Sequence, residues 1–486
     1  MTQLVTLNQF KIERNNQELL KCATLSINYG DQIFLTGTSG SGKTSLALAL
    51  TGELYAHGEI KFNYQENSVF PKKITLVKQF FHFKDNYGLT DFYYQQRYNS
   101  HDADNAPTVR QTIDKVINVD SPQVQFLLTL LDFHHRLDAV LLQLSSGERK
   151  KIQLILALAK PSQIIVLDNP LIGLDIATVA RLQEYMAELA KEGVCFILIG
   201  DSNTIPEFIT DVLIISADHN LTKLKRENYH QDTTTANSIN FNYTNLKLPE
   251  LKNEFASIIR FNSVTISYAE KIALSNISWQ VKPGDKWLLS GANGAGKSTL
   301  LSLINGDHPQ AYANEIYLFD RKRGSGETIW EIKRNIGFIS PELHWNFDGN
   351  MTCLQTVISG FYDTPGLHRS ATDQQISIAQ QWLKEAGFSD HANQRFANVS
   401  NGIQRMLLLL RAIIKNPPLF IFDEPCQGLD DYQAQQFISL VDHLFADSGH
   451  TIIYVSHRSD QIPTCINQRL NLVAGVADII SPASNN

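Results

Sequence analysis

The chain has 486 residues, and its 49 acidic and 42 basic side chains give a net charge of −7. At roughly 150 residues per domain, this length predicts two to four domains. An acidic balance without a basic block argues against a general nucleic-acid binder. The five cysteines show no Cys-x-x-Cys spacing, so a disulfide framework and a zinc site are disfavoured, which fits a reducing cytoplasm. No apolar run approaches the roughly 18 to 20 residues of a membrane span, so we expect a cytoplasmic chain without a span of its own.

The N-terminal segment predicts an antiparallel β unit followed by a phosphate-binding loop. Residues 1 to about 34 alternate apolar and polar side chains, as in FKIER and ATLSI, and end in the apolar run QIFLTG. The next stretch, GTSGSGKT, has the pattern G-x-x-x-x-G-K-[ST]. In such a loop, backbone N–H groups surround the phosphates, the lysine reaches the β- and γ-phosphates and the hydroxyl binds Mg²⁺. The loop consists of Gly37, Thr38, Ser39, Gly40, Ser41, Gly42, Lys43 and Thr44.

Three further features of the first half follow in chain order. Residues from about 80 to 143 carry an aromatic and Asn/Gln-rich segment and then amphipathic sequence, which predicts a helical subdomain. LSSGE, from Leu144 to Glu148, opens a helical run that stops at Pro161, and the free N–H groups of a helix start can hold an anion. IIVLDNP predicts a buried strand that ends in Asp168, whose carboxylate would emerge beside the phosphate loop.

The second half repeats these landmarks. A polar segment without helical or strand period predicts a linker at 217–257, between one domain at 1–216 and another at 258–486. Lys297 in GANGAGKS follows Lys43 by 254 residues, and Asp423 in LFIFDEP follows Asp168 by 255, which indicates an internal duplication. The second loop and the position after it consist of Gly291, Ala292, Asn293, Gly294, Ala295, Gly296, Lys297, Ser298 and Thr299.

A phosphate loop, an LSSGE-like helix start and a hydrophobic strand ending in aspartate, repeated in this order, resemble the ATP-binding-cassette (ABC) ATPases. The resemblance covers almost the whole chain. It implies an α/β fold with two P-loop nucleotide-binding domains, each with a mixed β core, an antiparallel β subdomain and a helical subdomain. It also implies an ATP hydrolase that uses ATP and Mg²⁺. Each ATP would lie between the phosphate loop of one cassette and the signature helix of the other.

A narrower resemblance rests on the segment NGDHPQAYANEIYLFDRKRGSGETIWEIKRNIGFIS, Asn305 to Ser340. This segment is similar to the tandem cassette proteins of the ModF type, which are encoded with molybdate transport genes. The overall length, the short linker and the lack of a membrane domain are also similar to that group. The resemblance implies an accessory role in molybdate or related transport, with an integral-membrane permease as partner and a location at the inner face of the membrane.

The resemblance assigns a set of hydrolytic groups to the site built on Lys297. Ser298 and Asp423 would hold Mg²⁺, and Glu424 would polarise the attacking water. His457 in IIYVSH falls where the family has its switch histidine, although a lone histidine is usually structural.

The same site would be completed by groups from three other segments. Tyr268 falls where the family stacks an aromatic on adenine, with an ordinary strand-face aromatic as the alternative. The facing signature helix would supply Ser145, Ser146 and Gly147. One departure concerns Pro341, which takes the position of a metal-contacting glutamine, with Glu342 as the nearest polar substitute.

The site built on Lys43 keeps its binding groups. Thr44 and Asp168 are present, and Gln79 in ITLVKQ takes the position of the metal-contacting glutamine. We therefore expect ATP and Mg²⁺ to bind there.

Its hydrolytic groups are replaced. Asn169 follows Asp168 and cannot accept a proton, and Asp201 takes the place of the switch histidine. Arg14 replaces the stacking aromatic, although a guanidinium can itself stack on a base. The facing signature, VSNGI, retains Ser400 and Gly402 but lacks a glycine and the glutamine of the family pattern. We predict that the site on Lys43 mainly holds ATP and that the site on Lys297 hydrolyses it.

Two alternative functions stay open at this point. ABC-F translation factors also have two cassettes and no span, but they carry a long charged linker, whereas this linker is neutral and rich in Thr and Asn, so ribosome or nucleic-acid binding is disfavoured. A tandem ATPase of a sugar importer has a similar length and architecture. No oxyanion-binding module is visible beyond the nucleotide sites, so we do not expect the chain itself to bind molybdate.

Overall fold

A computed structural model describes most of the chain, which divides into two units. The described residues are 2–14, 17–37, 40–66, 68–70, 72–79, 106–141, 144, 146–171, 174–200, 205–216, 218–230, 246–251, 255–268, 271–292, 294–364 and 366–480. Those up to residue 230 belong to the first unit and those from residue 246 to the second, and each unit is described by itself.

The first unit contains an antiparallel sheet and a mostly parallel sheet. Its described strands are β1 (Gln3–Arg14), β2 (Gln17–Asn28), β3 (Ile33–Gly37), β4 (His57–Phe62), β5 (Lys72–Val77), β6 (Ser162–Asp168), β7 (Cys195–Ile199), β8 (Asp211–Ile215) and β9 (Leu221–Lys225). The antiparallel sheet has the order β2-β1-β4, as the alternating N-terminal sequence predicts. The other has the order β5-β6-β7-β3-β8-β9 and is parallel except for β9.

Five α-helices are described in the first unit, and two of them begin at a residue whose side chain caps the helix. The five are α1 (Lys43–Leu50), α2 (Val109–Asp114), α3 (Pro122–Leu130), α4 (Ser146–Leu158) and α5 (Ile176–Lys191). Thr108 and Gln111 form a capping box at the start of α2, and Asp175 caps α5 by accepting from the Thr178 N–H. Helices α2 and α3 lie in the predicted helical subdomain, of which residues 80–105 and 142–143 are outside the described residues.

The second unit repeats this architecture. Its described strands are β10 (Ile259–Tyr268), β11 (Lys271–Val281), β12 (Lys286–Gly291), β13 (Glu315–Leu318), β14 (Arg321–Lys322), β15 (Ile336–Ile339), β16 (Leu419–Asp423), β17 (Thr451–Val455), β18 (Gln468–Val473) and β19 (Val476–Ile480). Its described helices are α6 (Lys297–Ile304), α7 (Ile329–Arg334), α8 (Pro341–Trp345), α9 (Cys353–Ile358), α10 (Asp373–Glu385), α11 (Asn401–Ile413) and α12 (Asp431–Phe445).

The two parallel sheets have the same strand order, which confirms the duplication. The second sheet runs β15-β16-β17-β12-β18-β19, again parallel except for its last strand, beside an antiparallel sheet of order β11-β10-β13-β14. In each unit, one strand, β7 or β17, therefore lies between the strand that precedes the phosphate loop and the strand that ends in the motif aspartate. Because ligands of parallel sheets bind at the carboxyl ends of the strands, this topology gathers the predicted site residues at one edge.

Each parallel sheet separates two hydrophobic cores. Along β6, Ile164 and Val166 pack with the antiparallel sheet and α1, whereas Ile165 and Leu167 pack with the helices on the other face. Strand β16 does the same, with Phe420 and Phe422 facing the helical side. Both faces of these strands are covered, which explains why their sequences are continuously apolar. The predicted α/β fold with two cassettes is confirmed.

The predicted linker contains structured sequence at both ends. Strand β9 lies within 217–257 and pairs with β8, so the first sheet continues past the predicted domain end at residue 216. On the other side, Leu246 is fully buried in the core of the second unit, and its carbonyl oxygen lies 3.0 Å from His443 Nε2. Residues 231–245, between these two segments, are outside the described residues.

Candidate functional site

The two phosphate loops connect a buried strand to a helix with the same backbone geometry. Gly42 precedes α1 with φ of 100°, and Gly296 precedes α6 with φ of 107°. A Cβ on Gly291 would lie 2.4 Å from the Leu472 carbonyl oxygen, and Gly37 is similarly close to Ile215. These positions require glycine because of a positive φ, a close approach or both. Thr38, Ser39 and Asn293, which were predicted to belong to the loops, are outside the described residues.

Each loop lysine is held by carbonyl oxygens of its own loop. Lys43 Nζ donates to the Gly37 carbonyl oxygen at 2.6 Å, and Lys297 Nζ donates to those of Gly291 and Ala292 at 2.8 and 3.0 Å. Burial lowers the pKa of Lys297, while the nearby Glu424 and Asp423 carboxylates oppose this shift. An ammonium surrounded in this way can meet a phosphate group at the loop.

At the first strand tip, the motif aspartate is buried and bonded within its own unit. Asp168 is 1% exposed and accepts a hydrogen bond of 2.7 Å from the Thr44 hydroxyl. Burial raises the pKa of the Asp168 carboxyl, and the bond from Thr44 and the charge of Lys150 oppose this effect. Asn169 donates from Nδ2 to the other Asp168 oxygen at 3.1 Å, so its amide engages the aspartate.

At the second strand tip, Glu424 is held through both carboxylate oxygens. His457 Nε2 lies 3.1 Å from Oε1, and Gln427 Nε2 donates to Oε2 at 2.8 Å. The Glu424 and His457 side chains are 22% and 37% exposed, so this pair is open to small molecules. The structure thus brings together the two side chains to which the sequence assigns hydrolysis.

Asn169 and Glu424 occupy equivalent positions in the two units. Both have positive φ, 48° and 44°. The Asn169 N–H donates to the Ile199 carbonyl oxygen of β7 at 2.9 Å, and the Glu424 N–H donates to that of Val455 of β17 at 3.1 Å. The difference between the sites is therefore one of side-chain chemistry on a shared backbone. Asp201, predicted to replace the switch histidine, is outside the described residues.

The signature segments of both units form helix starts. Gly147 lies in the first turn of α4, while Ser145 and the side chain of Ser146 are outside the described residues. Glu148, the last residue of LSSGE, accepts two bonds from Arg136 at 2.6 and 3.0 Å. This bidentate pair ties the start of α4 to the preceding part of the helical subdomain.

In the second unit, Ser400 caps α11 by accepting from the Ile403 N–H at 3.4 Å. Gly402 packs against α12, where an added Cβ would lie 2.7 Å from the Gln433 side chain. Ser400 thus caps the helix start, and Gly402 allows its close approach to α12. The two signature helices belong to different units, and the prediction that each faces the other unit's ATP stays a prediction.

Tyr268 ends β10, and the residue is 42% exposed. Its hydroxyl lies 2.7 Å from His308 Nε2, and the His308 Nδ1 accepts from the Gln310 N–H. Burial lowers the pKa of His308 to about 4, so the imidazole is neutral at pH 7. The hydroxyl anchors one end of an exposed ring, which suits stacking on a base. Arg14 ends β1, and its side chain is outside the described residues.

The two positions expected to carry a metal-contacting glutamine differ. Gln79 follows β5 and is half-buried. Pro341 is the first residue of the short helix α8, which Ser340 caps by accepting from the Leu343 N–H. Glu342 is buried, and its charge acts on the fully buried Arg405 of α11. The substitute side chain at this position thus lies in the interior of the second unit.

Three residues near the sites were missed by reasoning from the sequence. Gln427 contacts Glu424, His308 contacts Tyr268, and Arg405 lies inside the protein with bonds to the carbonyl oxygens of Ser340 and Gln427. A glutamine or a histidine in a loop carries no periodic signal. The offset of 255 could have paired Arg405 with Lys150, which is the corresponding residue of α4.

Neither a metal cluster nor a membrane-spanning helix is found among the described residues. Within the described ranges, no group of three or more His, Cys, Asp or Glu side chains could hold a metal ion. No helix among the described elements is long and apolar enough to cross a membrane.

Comparisons with known proteins match both units. The model of the ABC transporter family matches residues 20–172 and 274–427. The ABC transporter ATP-binding protein ModF of Escherichia coli is 34% identical over 479 residues, covering 94% of this chain and 94% of its own length. An uncharacterized ABC transporter ATP-binding protein of Schizosaccharomyces pombe is 27% identical over 455 residues, with coverages of 91% and 92%.

Among solved structures, an ATP-binding cassette of an ABC transporter in its ADP conformation matches with a TM-score of 0.39 and 24% identity. The match covers 46% of this chain and 89% of that one. Two family matches, together with a full-length relative above 30% identity, place the chain in a known class of enzyme. The chain belongs to the ABC transporter family and is a tandem-cassette ATP hydrolase that resembles ModF.

Proposed function

We propose that the chain binds one ATP with Mg²⁺ on each phosphate loop and hydrolyses ATP mainly at the site built on Lys297. The observation that carries this proposal is the pair formed by Glu424 and His457, with 3.1 Å between Oε1 and Nε2. At the equivalent backbone position of the first unit stands Asn169, whose amide donates to Asp168. An amide cannot act as a general base at neutral pH.

The residues present fit Mg²⁺ at both loops. Thr44 and Asp168 form an oxygen-only pair at 2.7 Å, of the kind that Mg²⁺ prefers, and Ser298 and Asp423 hold the same places in the second unit. Bound Mg²⁺ would neutralise charge on the β- and γ-phosphates. Gln79 would contribute at the first site.

In the second site, each side chain has a defined task. Lys297 meets the phosphate charge from the loop, and Glu424 accepts a proton from the attacking water. His457 contacts the γ-phosphate and keeps Glu424 oriented. Tyr268 stacks on the adenine with its hydroxyl fixed by His308. The family resemblance implies that Ser145, Ser146 and Gly147 of one signature segment and Ser400 and Gly402 of the other would also contact ATP.

Turnover of Glu424→Gln tests the division of labour between the two sites. Loss of the general base should lower the rate of phosphate release by about 10² to 10⁴. The matched control is Asn169→Gln, which keeps an amide in the first unit and should change the rate less than about twofold. A parent-like rate for Glu424→Gln, or an equal loss in both variants, would contradict the proposal.

For the cellular role, we propose an accessory ATPase of molybdate or related transport that works with an integral-membrane permease at the inner face of the membrane. The similarity to ModF over 94% of the chain and the ModF-like sequence from 305 to 340 support this role. Copurification with a tagged chain tests it, and a permease is the expected partner. Recovery of ribosomes would favour an ABC-F-like role, and recovery of a sugar permease would favour a sugar importer.

Molybdate itself is proposed as cargo of the partner and not as a ligand of this chain. Added molybdate should therefore leave the melting temperature of the nucleotide-free protein unchanged, whereas ATP should raise it. A rise with molybdate alone would contradict this assignment.

A further inference from the structure

The Glu424 carboxylate has a second partner that the family resemblance does not assign. Gln427 lies three residues after Glu424, and its N–H donates to the Glu424 carbonyl oxygen at 3.0 Å, which closes a tight turn. This turn brings the Gln427 side chain back to the strand tip, where Nε2 donates to Glu424 Oε2 at 2.8 Å. We infer that Gln427 is a positioning residue for hydrolysis, one that fixes the Glu424 carboxylate between its own amide and His457. The inference rests on the proposed role of Glu424.

The chemistry of the contact fixes the orientation of the amide. An ionised carboxylate only accepts hydrogen bonds, so the NH₂ group of Gln427 must face Glu424. Its Oε1 is buried and has no hydrogen-bond partner among the described residues. An unsatisfied buried acceptor is unfavourable. In this position the Gln427 NH₂ group donates to Glu424, while the Gln427 Oε1 is left unsatisfied. This is the arrangement expected if the contact with Glu424 determines the conformation of the Gln427 side chain.

The Gln427 backbone is held from behind by a buried cation. Arg405, on the signature helix α11, is 1% exposed and donates to the Gln427 carbonyl oxygen at 3.0 Å and to that of Ser340 at 3.3 Å. Two bonds from one rigid guanidinium limit movement of the turn. Glu424 is thus connected to the signature helix of its own unit through Gln427.

In the first unit, different side chains occupy the positions that correspond to Glu424, Gln427 and Arg405. Lys150 corresponds to Arg405, but its single ammonium donates to the carbonyl oxygens of Lys78 and Asp168, at 3.0 and 3.1 Å, on the strand ends. Gln427 lies four residues after Asp423, and the residue four positions after Asp168 is Ile172, whose side chain has no hydrogen-bond donor. At these two sequence positions the second unit thus has a carboxylate and an amide donor, whereas the first has Asn169 and Ile172.

The test is the steady-state kinetics of Gln427→Met in the full-length chain. Methionine has a similar length and no donor, so Glu424 would lose one of its two fixed bonds. We expect kcat to fall by about 10- to 100-fold, the range for a misplaced catalytic group, while KM for ATP changes less than about twofold. A loss in kcat at constant KM separates positioning from a general loss of nucleotide binding.

A double-mutant cycle separates positioning from a merely structural role. In the Glu424→Gln background, Gln427→Met should change the residual rate less than about twofold, because the group that it positions is gone. The matched control is Gln381→Ala, which removes a glutamine that donates to the Glu385 carboxylate at 2.9 Å on the exposed face of α10 and should leave kcat unchanged.

The outcomes distinguish this inference from the proposed function. If Glu424→Gln retains the parent rate, both fail. If Glu424→Gln loses activity but Gln427→Met retains the parent kcat, or loses equally in both backgrounds, only the role of Gln427 is overturned. Gln427→Glu, which retains length and polarity, gives the same test if the methionine variant does not fold, and its carboxylate should repel Glu424 and lower kcat at least as strongly.

Discussion

The tips of β6 and β16 have the same backbone and different chemistry. In both units an aspartate ends the strand and the next residue has positive φ and donates its N–H to the neighbouring strand. The first tip then presents Asn169 bonded to Asp168, and the second presents Glu424 bonded to His457 and Gln427. The comparison teaches that the duplicated fold fixes where a hydrolytic group would stand, while the side chain decides whether it can act.

The comparison extends to the buried cation on each signature helix. Lys150 reaches the strand ends of its unit, whereas Arg405 reaches the turn that carries Gln427. Burial lowers the pKa of Lys150 to about 8 and that of Arg405 to about 10. At pH 7 both are therefore charged, and each donates to carbonyl oxygens of two segments, but only the arginine does so with a rigid planar group.

Of the changes considered, Arg405→Ala should have the largest effect on stability. It would show how much the stability of the second unit depends on this buried guanidinium. The substitution removes a fully buried side chain and leaves the half-buried Gln427 carbonyl oxygen without this donor, whereas that of Ser340 keeps the His344 N–H at 3.2 Å, so we expect the free energy of unfolding to fall by about 3 kcal/mol. Urea unfolding followed by tryptophan fluorescence measures this unit alone, because all five tryptophans lie at or beyond residue 279. Arg405→Lys, which copies the first unit, should lose less, and an unchanged midpoint for Arg405→Ala would refute the prediction.

Acid should unfold the second unit before the first. Burial lowers the pKa of His308 and His450 to about 4 and that of His344 to about 3, below the ordinary value of 6.5. The unfolded chain therefore binds more protons between about pH 4 and 6.5, and stability falls as the pH falls through this window, by about 1 to 2 kcal/mol for each histidine at pH 5. Tryptophan fluorescence, which reports the second unit alone, should therefore change at a higher pH than far-UV circular dichroism, which reports both units. His344→Gln should shift that transition to lower pH, and no shift would contradict the assignment.

Asn169→Glu in the Glu424→Gln background would test whether a carboxylate on the shared backbone is enough for hydrolysis at the first site. The new carboxylate would project from the same position as Glu424, so we expect phosphate release to rise by about tenfold above that of Glu424→Gln alone. The gain should stay well below the parent rate, because no glutamine corresponds to Gln427 in the first unit. Absence of any gain would mean that the first site lacks more than its base.

Tyr268→Ala should give the smallest effect and concerns the nucleotide base. Loss of stacking on adenine should raise KM for ATP by about fivefold with little change in kcat. Tyr268→Phe, which removes only the hydroxyl bonded to His308, should raise KM by about twofold or less. A change in kcat larger than the change in KM would argue against a role in base binding.

Motif spacing predicts the fold because both loops, both helix starts and both strands depend on local patterns that recur at one offset. The structure places β3, α1 and β6, and their counterparts β12, α6 and β16, where those patterns stand. The strand β9 escaped prediction since its sequence, LTKLK, is short and rich in lysine. Lys225 pairs with the buried Asp211 at 3.0 Å and Lys223 pairs with Asp31, so tertiary ion pairs compensate for its polar composition.

The site was predictable up to the residues that family motifs contain. Gln427 and Arg405 were not, because their role depends on a turn returning to a strand tip and on a helix packing over that turn. A charged residue on an amphipathic helix is expected to be exposed. Arg405 is buried nevertheless, because carbonyl oxygens of two distant segments accept hydrogen bonds from its guanidinium. Pro341, which takes the position of a metal-contacting glutamine, begins the short helix α8, and no sequence pattern predicted this helix.

The positive φ at the two strand tips has a consequence for conformational strain. Asparagine is one of the few residues that tolerate the left-handed region well, whereas a glutamate there costs of the order of 1 kcal/mol. The unit that keeps Glu424 therefore carries strain that the unit with Asn169 largely avoids. The proposed site of hydrolysis therefore contains the more strained of the two turns. A strained catalytic residue is expected where activity is gained at the expense of stability.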